Sequence, residues 1–183
     1  MRRAAPLLFG VEVLGWALWF GGLVTVALVA PLVFQVVPSR DLAGRVFGAV
    51  LGRLFPLVYV CGGVQLLAGL GRTSAGRLTW VKHALVALAL GVAAYAGVVV
   101  MGEMVGIQSA FPAPIENIPI EDPRRVRFDA LHRLSERLMG FDAVLGMLLL
   151  PLIVATRPRT AVVTEPDVRS HRAGRSAAVA PSP

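Results

Sequence analysis

Charged residues are scarce in this chain. Asp, Glu, Lys and Arg make up only 16% of its 183 residues, whereas 56% are hydrophobic. A soluble domain of this length carries more charge, because its surface must face water. Cysteine is also scarce, since Cys61 is the only one. These shortages exclude an ordinary soluble domain, and the single cysteine excludes an intrachain disulfide.

Several enzyme motifs are missing as well. The sequence contains no Gly-x-Ser-x-Gly, no phosphate-binding loop, no Cys-x-x-Cys and no His-Glu-x-x-His. Of the three histidines, His171 stands near the C-terminus, and His83 and His132 are predicted at opposite ends of the membrane region. Two imidazoles at opposite ends cannot ligate one haem. We therefore predict no enzymatic activity and no cofactor.

What the chain has instead is four long apolar segments. Residues 13–37, 54–71 and 84–102 carry no charge, and residues 138–156 carry only Asp142. At about 1.5 Å per residue, helices of this length cross or nearly cross the roughly 30 Å hydrocarbon core of a bilayer. Because lipid offers the backbone no hydrogen-bond partner, each segment must be a helix. The predicted fold is all-α, a polytopic membrane protein with a four-transmembrane-helix bundle.

Cap residues and prolines set the boundaries of these helices. Ser39 and Thr79 are candidate N-caps, and Asp122-Pro123 matches an N-cap followed by the first helical residue. The predicted helices cover about 7–34, 41–70, 79–105 and 123–155, within one domain over residues 1–156. Residues 157–183 are polar and rich in Ser, Ala, Pro and Arg, which predicts a disordered basic cytoplasmic tail.

The net charge of +7 arises from basic residues that flank the apolar segments. They form no aromatic-interleaved patch, so we predict the lipid bilayer rather than nucleic acid as a partner. Arg2 and Arg3 precede an apolar stretch longer than that of a signal peptide, which indicates a retained first helix. A narrow majority of basic residues on the side of the termini favours an inner-membrane protein with both termini in the cytoplasm.

Two stretches resemble a known family. Residues 53–59, Arg-Leu-Phe-Pro-Leu-Val-Tyr, are similar to an element on the second helix of the transmembrane protein 205-like family, which carries the domain of unknown function 4149. Residues 128–135 resemble the Phe-x-x-x-His-x-x-Ser element before the last helix of that family. The aromatic-glycine sequence at 16–22 also fits. The resemblance covers about residues 14–150 and implies four membrane helices but no activity; Met139 departs from an Asn frequent in the family.

Polar residues on the fourth helix form the first candidate site. At about 100° per residue, one face carries five residues: Phe128, His132, Ser135, Met139 and Asp142. Because a carboxylate facing lipid costs several kcal/mol, this face is predicted to look into the bundle. Arg53 on the second helix is predicted at a similar depth, near Asp142. For the polar intramembrane cluster of Arg53, His132, Ser135 and Asp142, the favoured interpretation is a structural ion pair that fixes helix register. The alternatives are an entry site for a proton, metal or small polar solute, and contact with lipid headgroups.

A second polar group is predicted at the inner side of the membrane. Glu12 stands about one turn inside the first helix, and Lys82 and His83 stand at the matching end of the third. We predict a contact between Glu12 and Lys82 or His83 that anchors the helices, with anchoring favoured over a functional role.

Four residues are candidate ligands for copper: Met101, Met104, His132 and Met139. Thioethers with an imidazole suit Cu(I). The favoured interpretation is that these methionines fill gaps in apolar packing.

The sequence as a whole favours a non-enzymatic accessory or structural membrane protein with a membrane-protein partner or a second copy of itself. The alternative is a small transporter or copper-handling protein that uses the outer polar cluster. A transporter would need a polar cavity lined by His132, Ser135 and Asp142, whereas an accessory protein would pair its buried polar groups internally and leave an apolar face for a partner.

Overall fold

The protein is seen in a computed structural model, which describes residues 4–71, 76–111 and 114–158. These residues form long helices and no strand. The four main helices are Ala5–Val36, Arg40–Leu70, Arg77–Ser109 and Pro123–Ala155, called the first to fourth helix below, and each is long and apolar enough to cross a membrane. The predicted all-α, four-helix membrane architecture is thus confirmed. Arg2, Arg3 and the predicted tail from residue 159 onward lie outside the described residues.

Side-chain caps start two of the helices where the sequence predicts them. The Ser39 hydroxyl accepts a hydrogen bond from the Leu42 amide at 3.3 Å, and the Asp122 carboxylate accepts one from the Arg124 amide at 2.8 Å. The predicted cap at Thr79 is wrong. The third helix begins at Arg77 after Gly76, which holds the N-cap position with extended backbone and no side-chain hydrogen bond. Glycine is one of the residues commonly found at N-cap positions.

Each helix packs against two neighbours. The first contacts the second and the fourth, and the third contacts the same two, so that the first and third lie diagonally across the bundle. The main core contains Trp19, Val58, Val86, Leu149 and Ile153. The outer surface is also apolar, as expected for helices that face lipid: Leu28, Leu67 and Val98 are all more than 60% exposed.

Close approach of the first two helices depends on Gly15. A β-carbon at this position would lie 2.9 Å from the Cys61 carbonyl oxygen and 3.3 Å from Gln65 Cβ. Membrane helices commonly use small residues in this way, since their association depends on close packing more than on excluding water. Gly15 therefore sets how near Trp19 and Glu12 come to the second helix.

The third helix changes its hydrogen-bond pattern in the middle. Residues Tyr95–Val100 are π-helical, between α-helical Arg77–Ala94 and Met101–Ser109. The Tyr59 hydroxyl donates to the Ala93 carbonyl at 3.3 Å, just before this segment. Gly97, within it, faces the Phe55 ring so closely that a β-carbon would lie 2.7 Å from Phe55 Cγ. Single π-helical turns are rare and often occur next to functional sites.

Candidate functional site

An ion pair is fully buried at one end of the bundle. Lys82 of the third helix forms a salt bridge with Glu12 of the first, and each residue is only 1% exposed. The two helices lie diagonally, so the pair crosses the interior instead of joining adjacent surfaces. In a low-dielectric interior each charge needs the other, because neither has water to solvate it. The predicted contact between Glu12 and Lys82 is present in the structure.

Further polar residues surround this pair. Gln65 of the second helix and His83 and Thr79 of the third are buried. Gly69 lies beside both His83 and Glu12: a β-carbon there would be 2.6 Å from His83 Nε2 and 3.5 Å from Glu12 Oε1. The Gln65 amide makes no hydrogen bond with any other described residue, which is unusual for a buried polar group. Glu12, Gln65, Lys82 and His83 are called the inner cluster below.

A second buried carboxyl lies deeper along the bundle. Asp142 of the fourth helix is 3% exposed, and its Oδ2 accepts a hydrogen bond from the Trp19 indole at 3.3 Å. The Trp16 indole, one turn earlier, donates to the Gly146 carbonyl at 2.8 Å. Across residues 4–71, 76–111 and 114–158, Asp142 Oδ1 has no hydrogen-bond partner, and no salt bridge forms at this carboxyl. Asp142 therefore has a neutral hydrogen-bond donor as its partner, whereas Glu12 has a cation.

A small cavity adjoins Asp142. It has room for about 20 Å³, which is close to the minimum for one water molecule. All four helices contribute to its wall, including Leu23, Phe55, Ala96 and Met139. Among the described residues Asp142 is the one polar residue of the wall, and the surface that faces the cavity is apolar. Ala96 belongs to the π-helical segment, so the irregular turn of the third helix faces the same space as the buried carboxyl.

The other members of the predicted outer cluster lie elsewhere. Arg53 is exposed and forms no ion pair with Asp142 among the described residues, although its neighbour Leu54 lines the cavity. His132 is exposed and lies 3.4 Å from Glu136 on its own helix. The Ser135 hydroxyl donates to the His132 carbonyl at 2.8 Å. The structure does not bring these three side chains to Asp142.

Helix geometry explains this difference. At about 100° per residue, the ten positions from His132 to Asp142 leave the two side chains roughly 80° apart around the helix. Ser135 points nearly the same way as Asp142 but lies about 10 Å along the axis. The arginine has a long flexible stem that carries its charge away from the interior. A shared face over several turns was therefore too coarse a criterion for contact.

The sequence profile of one protein family, described as a domain of unknown function (DUF4149), matches residues 14–110. That match covers more than half of the chain. The chain belongs to the DUF4149 family. No curated protein and no solved structure matches it.

The DUF4149 match includes some of the buried polar residues and leaves out others. Trp19, Gln65 and Lys82 fall within it, whereas Glu12 and Asp142 lie on either side of it. Each of the two buried carboxyls thus meets its partner from the matched segment: Glu12 meets Lys82, and Asp142 meets Trp19.

The candidate copper ligands of this DUF4149 protein lie in different environments, and His132 is exposed. Met104 is buried in a small apolar cluster with Val100 and Leu131, and Met139 lines the cavity beside Asp142. Met101 is half-buried. Within the described ranges no three His, Cys, Asp or Glu side chains form a metal-binding group. Cu(I) binding by thioethers stays a prediction.

The end of the bundle opposite the inner cluster carries exposed ionic contacts. Arg127 of the fourth helix pairs with both carboxylate oxygens of Glu103 on the third, at 2.6 and 2.8 Å. Before the fourth helix, hydrogen bonds from the Arg124 guanidinium and backbone amide hold the pKa of Asp122 below its ordinary value. The Arg127–Glu103 pair is exposed and joins the third and fourth helices, so it is expected to contribute little stability.

Two residues of the candidate site were missed by the sequence analysis. Trp19 is not among the predicted site residues, because hydropathy does not register the single N–H that a buried indole must satisfy. Gln65 drew no attention, since it stands alone in an apolar segment with no polar residue at helical spacing. A systematic search for every hydrogen-bond donor within the apolar segments would have found both.

Proposed function

We propose that this DUF4149 protein is a non-enzymatic accessory or structural protein of the membrane, of the transmembrane protein 205-like kind. The observation that carries the proposal is the ion pair between Glu12 and Lys82, which joins diagonal helices through the interior. A solute crossing the bundle along its axis would have to separate these two charges. An interior held in this way favours a fixed scaffold over a passage.

The surroundings of Asp142 favour the same function. A transport site for a polar solute needs several convergent polar groups, and His132 and Ser135 were the candidates to supply them. His132 is exposed and faces Glu136, and Ser135 is bonded to its own helix backbone. The cavity beside Asp142 is otherwise apolar and close to the size of one water molecule. This geometry supports the accessory role over the transporter or copper-handling alternative.

An accessory role requires a surface for a partner or for a second copy of the chain. Large apolar side chains are exposed on every helix, among them Leu28, Leu67, Val98 and Met147. Lipid covers such faces in a monomer, and another membrane helix covers one of them in a complex. We expect one face to be covered by protein.

Photo-crosslinking in native membranes tests this expectation. A photoreactive amino acid is placed in turn at Leu28, Leu67, Val98 and Met147, one per helix, and at buried Leu149 as the interior control. The proposal predicts a discrete protein adduct from one or two adjacent helices, lipid adducts from the others, and neither from Leu149. Lipid adducts from all four surface positions, or solute uptake into vesicles that depends on Asp142, would contradict it.

We further infer that the protein lies in the inner membrane with both termini in the cytoplasm, on the strength of its flanking basic residues. Reporter fusions after residue 158 and within residues 72–75 should then be active on the cytoplasmic side, and a fusion within residues 112–113 on the other. The reverse pattern would overturn the orientation.

A further inference from the structure

Two carboxyl groups are buried to a similar extent, but only one of them has a positively charged partner. Glu12 is 1% exposed and has Lys82 as its cation. Asp142 is 3% exposed and has one hydrogen bond, from the Trp19 indole at 3.3 Å. A charged carboxylate without a cation or water is strongly unfavourable in an apolar interior, and such a group takes up a proton instead. We propose that Asp142 is a proton-binding site within the membrane, a carboxylic acid that holds its proton at neutral pH.

Every helix packed against Asp142 presents uncharged side chains to it. Trp19 of the first helix donates a hydrogen bond to it. The cavity beside Asp142 is lined by uncharged residues of the first, second and third helices: Leu23, Phe55, Val58, Ala93 and Ala96. The titratable Tyr59 hydroxyl is engaged with the Ala93 carbonyl. In the described parts of the chain, no Lys, Arg or His forms an ion pair with this carboxyl. We therefore infer that a bound proton neutralises the charge of the Asp142 carboxylate.

The hydrogen bond to Trp19 determines which oxygen carries the proton. An indole N–H can only donate, so Asp142 Oδ2 is the accepting carbonyl oxygen. The proton then belongs on Oδ1, the oxygen that has no partner among the described residues. This arrangement satisfies the donor of Trp19 and leaves an O–H group on the residue that lines the cavity.

The cavity chemistry selects a proton over a metal ion. Mg²⁺ and Ca²⁺ take six or more oxygen ligands, and soft ions such as Cu(I) prefer sulfur and imidazole. The wall of the cavity offers a single carboxyl as its polar group, with one thioether from Met139. A proton is the one cation that needs a single oxygen. The cavity beside Asp142 has an apolar surface, so it leaves the carboxyl shielded from water.

Asp142 is separated from the inner cluster by packed side chains. Trp19 and Val58 separate Asp142 from Gln65: Val58 borders the space on both sides, and Trp19 faces Gln65 while its N–H is bonded to Asp142. The π-helical turn that contains Ala96 forms part of the cavity wall.

Infrared spectroscopy of the full chain in lipid vesicles tests the proposal. A protonated carboxyl has a C=O stretching band that is separate from those of ionised carboxylates and of the amide backbone. At neutral pH we expect this band in the wild type and its loss in Asp142→Asn. Glu12→Gln is the matched control, since Glu12 is equally buried but paired with Lys82, and the band should persist in it. Trp19→Phe should keep the band and shift it to higher frequency, because the C=O group loses its hydrogen bond.

Isotope labelling keeps the test decisive if Asp142→Asn does not fold. In wild-type protein, ¹³C-carboxyl aspartate should move the band to lower frequency, and ¹³C-carboxyl glutamate should leave it in place. The proposal is overturned if the wild type lacks a protonated-carboxyl band at neutral pH. It is equally overturned if the band follows glutamate labelling, persists in a folded Asp142→Asn variant or disappears in a folded Glu12→Gln variant.

Discussion

Removing one half of the Glu12–Lys82 pair should destabilise the bundle strongly. Glu12→Gln keeps the size of the side chain and removes its charge, which leaves the Lys82 ammonium buried at 1% exposure without a counterion. Breaking a buried ion pair on one side costs about 3–5 kcal/mol. Since about 1.4 kcal/mol is a factor of ten, the lower bound of 3 kcal/mol lowers the folding equilibrium constant by roughly 100-fold.

Reversible unfolding in mixed detergent micelles, followed by circular dichroism, measures this loss. Glu103→Gln is the matched control: it makes the same chemical change in an exposed pair with Arg127, where water solvates the remaining charge, so its effect should be far smaller. The double variant Glu12→Gln/Lys82→Met should recover a large part of the loss, because it removes the orphaned cation. Equal losses from Glu12→Gln and Glu103→Gln, or no recovery in the double variant, would refute the reasoning.

Two further predictions concern close packing and pH. Gly15→Ala should lower the thermal unfolding temperature, because its β-carbon would lie 2.9 Å from the Cys61 carbonyl; Gly21→Ala on the same helix, with no atom within 4 Å, should be neutral or stabilising. The depressed pKa of Asp122 means that its contribution to stability is present above its unfolded-state pKa and is lost as pH falls through the lower folded value. Arg124→Gln should raise the Asp122 pKa measured by carboxyl NMR titration, and an unchanged value would contradict the assignment.

The fold was largely predictable because the lipid bilayer allows few backbone structures to span it. Apolar segments of this length must be helices, and flanking polar turns place their ends to within a few residues. The third helix shows where this reasoning stops. It begins at Arg77 instead of Thr79 and continues to Ser109. Its π-helical turn at Tyr95–Val100, which lies against Phe55 and Tyr59, was not predicted.

The candidate site was predictable only where charges were isolated. Glu12 and Lys82 are lone charges at matching depths in apolar surroundings, so their pairing follows from the cost of leaving either alone. The same logic assigned Arg53 to Asp142, and the structure does not show that pair. The long side chain of an arginine near a helix end can extend to the headgroup region, whereas the short side chain of an aspartate cannot. Asp142 instead accepts a hydrogen bond from the neutral indole of Trp19.

The polar contacts of the first helix explain what the buried polar groups contribute in return for the free-energy cost of removing them from water. Glu12, Trp16 and Trp19 are four and three residues apart, so they lie on one helical face, and their partners are Lys82, the Gly146 carbonyl and Asp142. In lipid, apolar side chains pack against neighbouring helices and against lipid tails with similar energies, so apolar contact alone does not fix register. Each polar contact has a specific geometry that a slip of one residue would break. Three such contacts on one face therefore fix the axial position of the first helix against both the third and the fourth, which explains why this apolar bundle retains charged and polar groups in its interior.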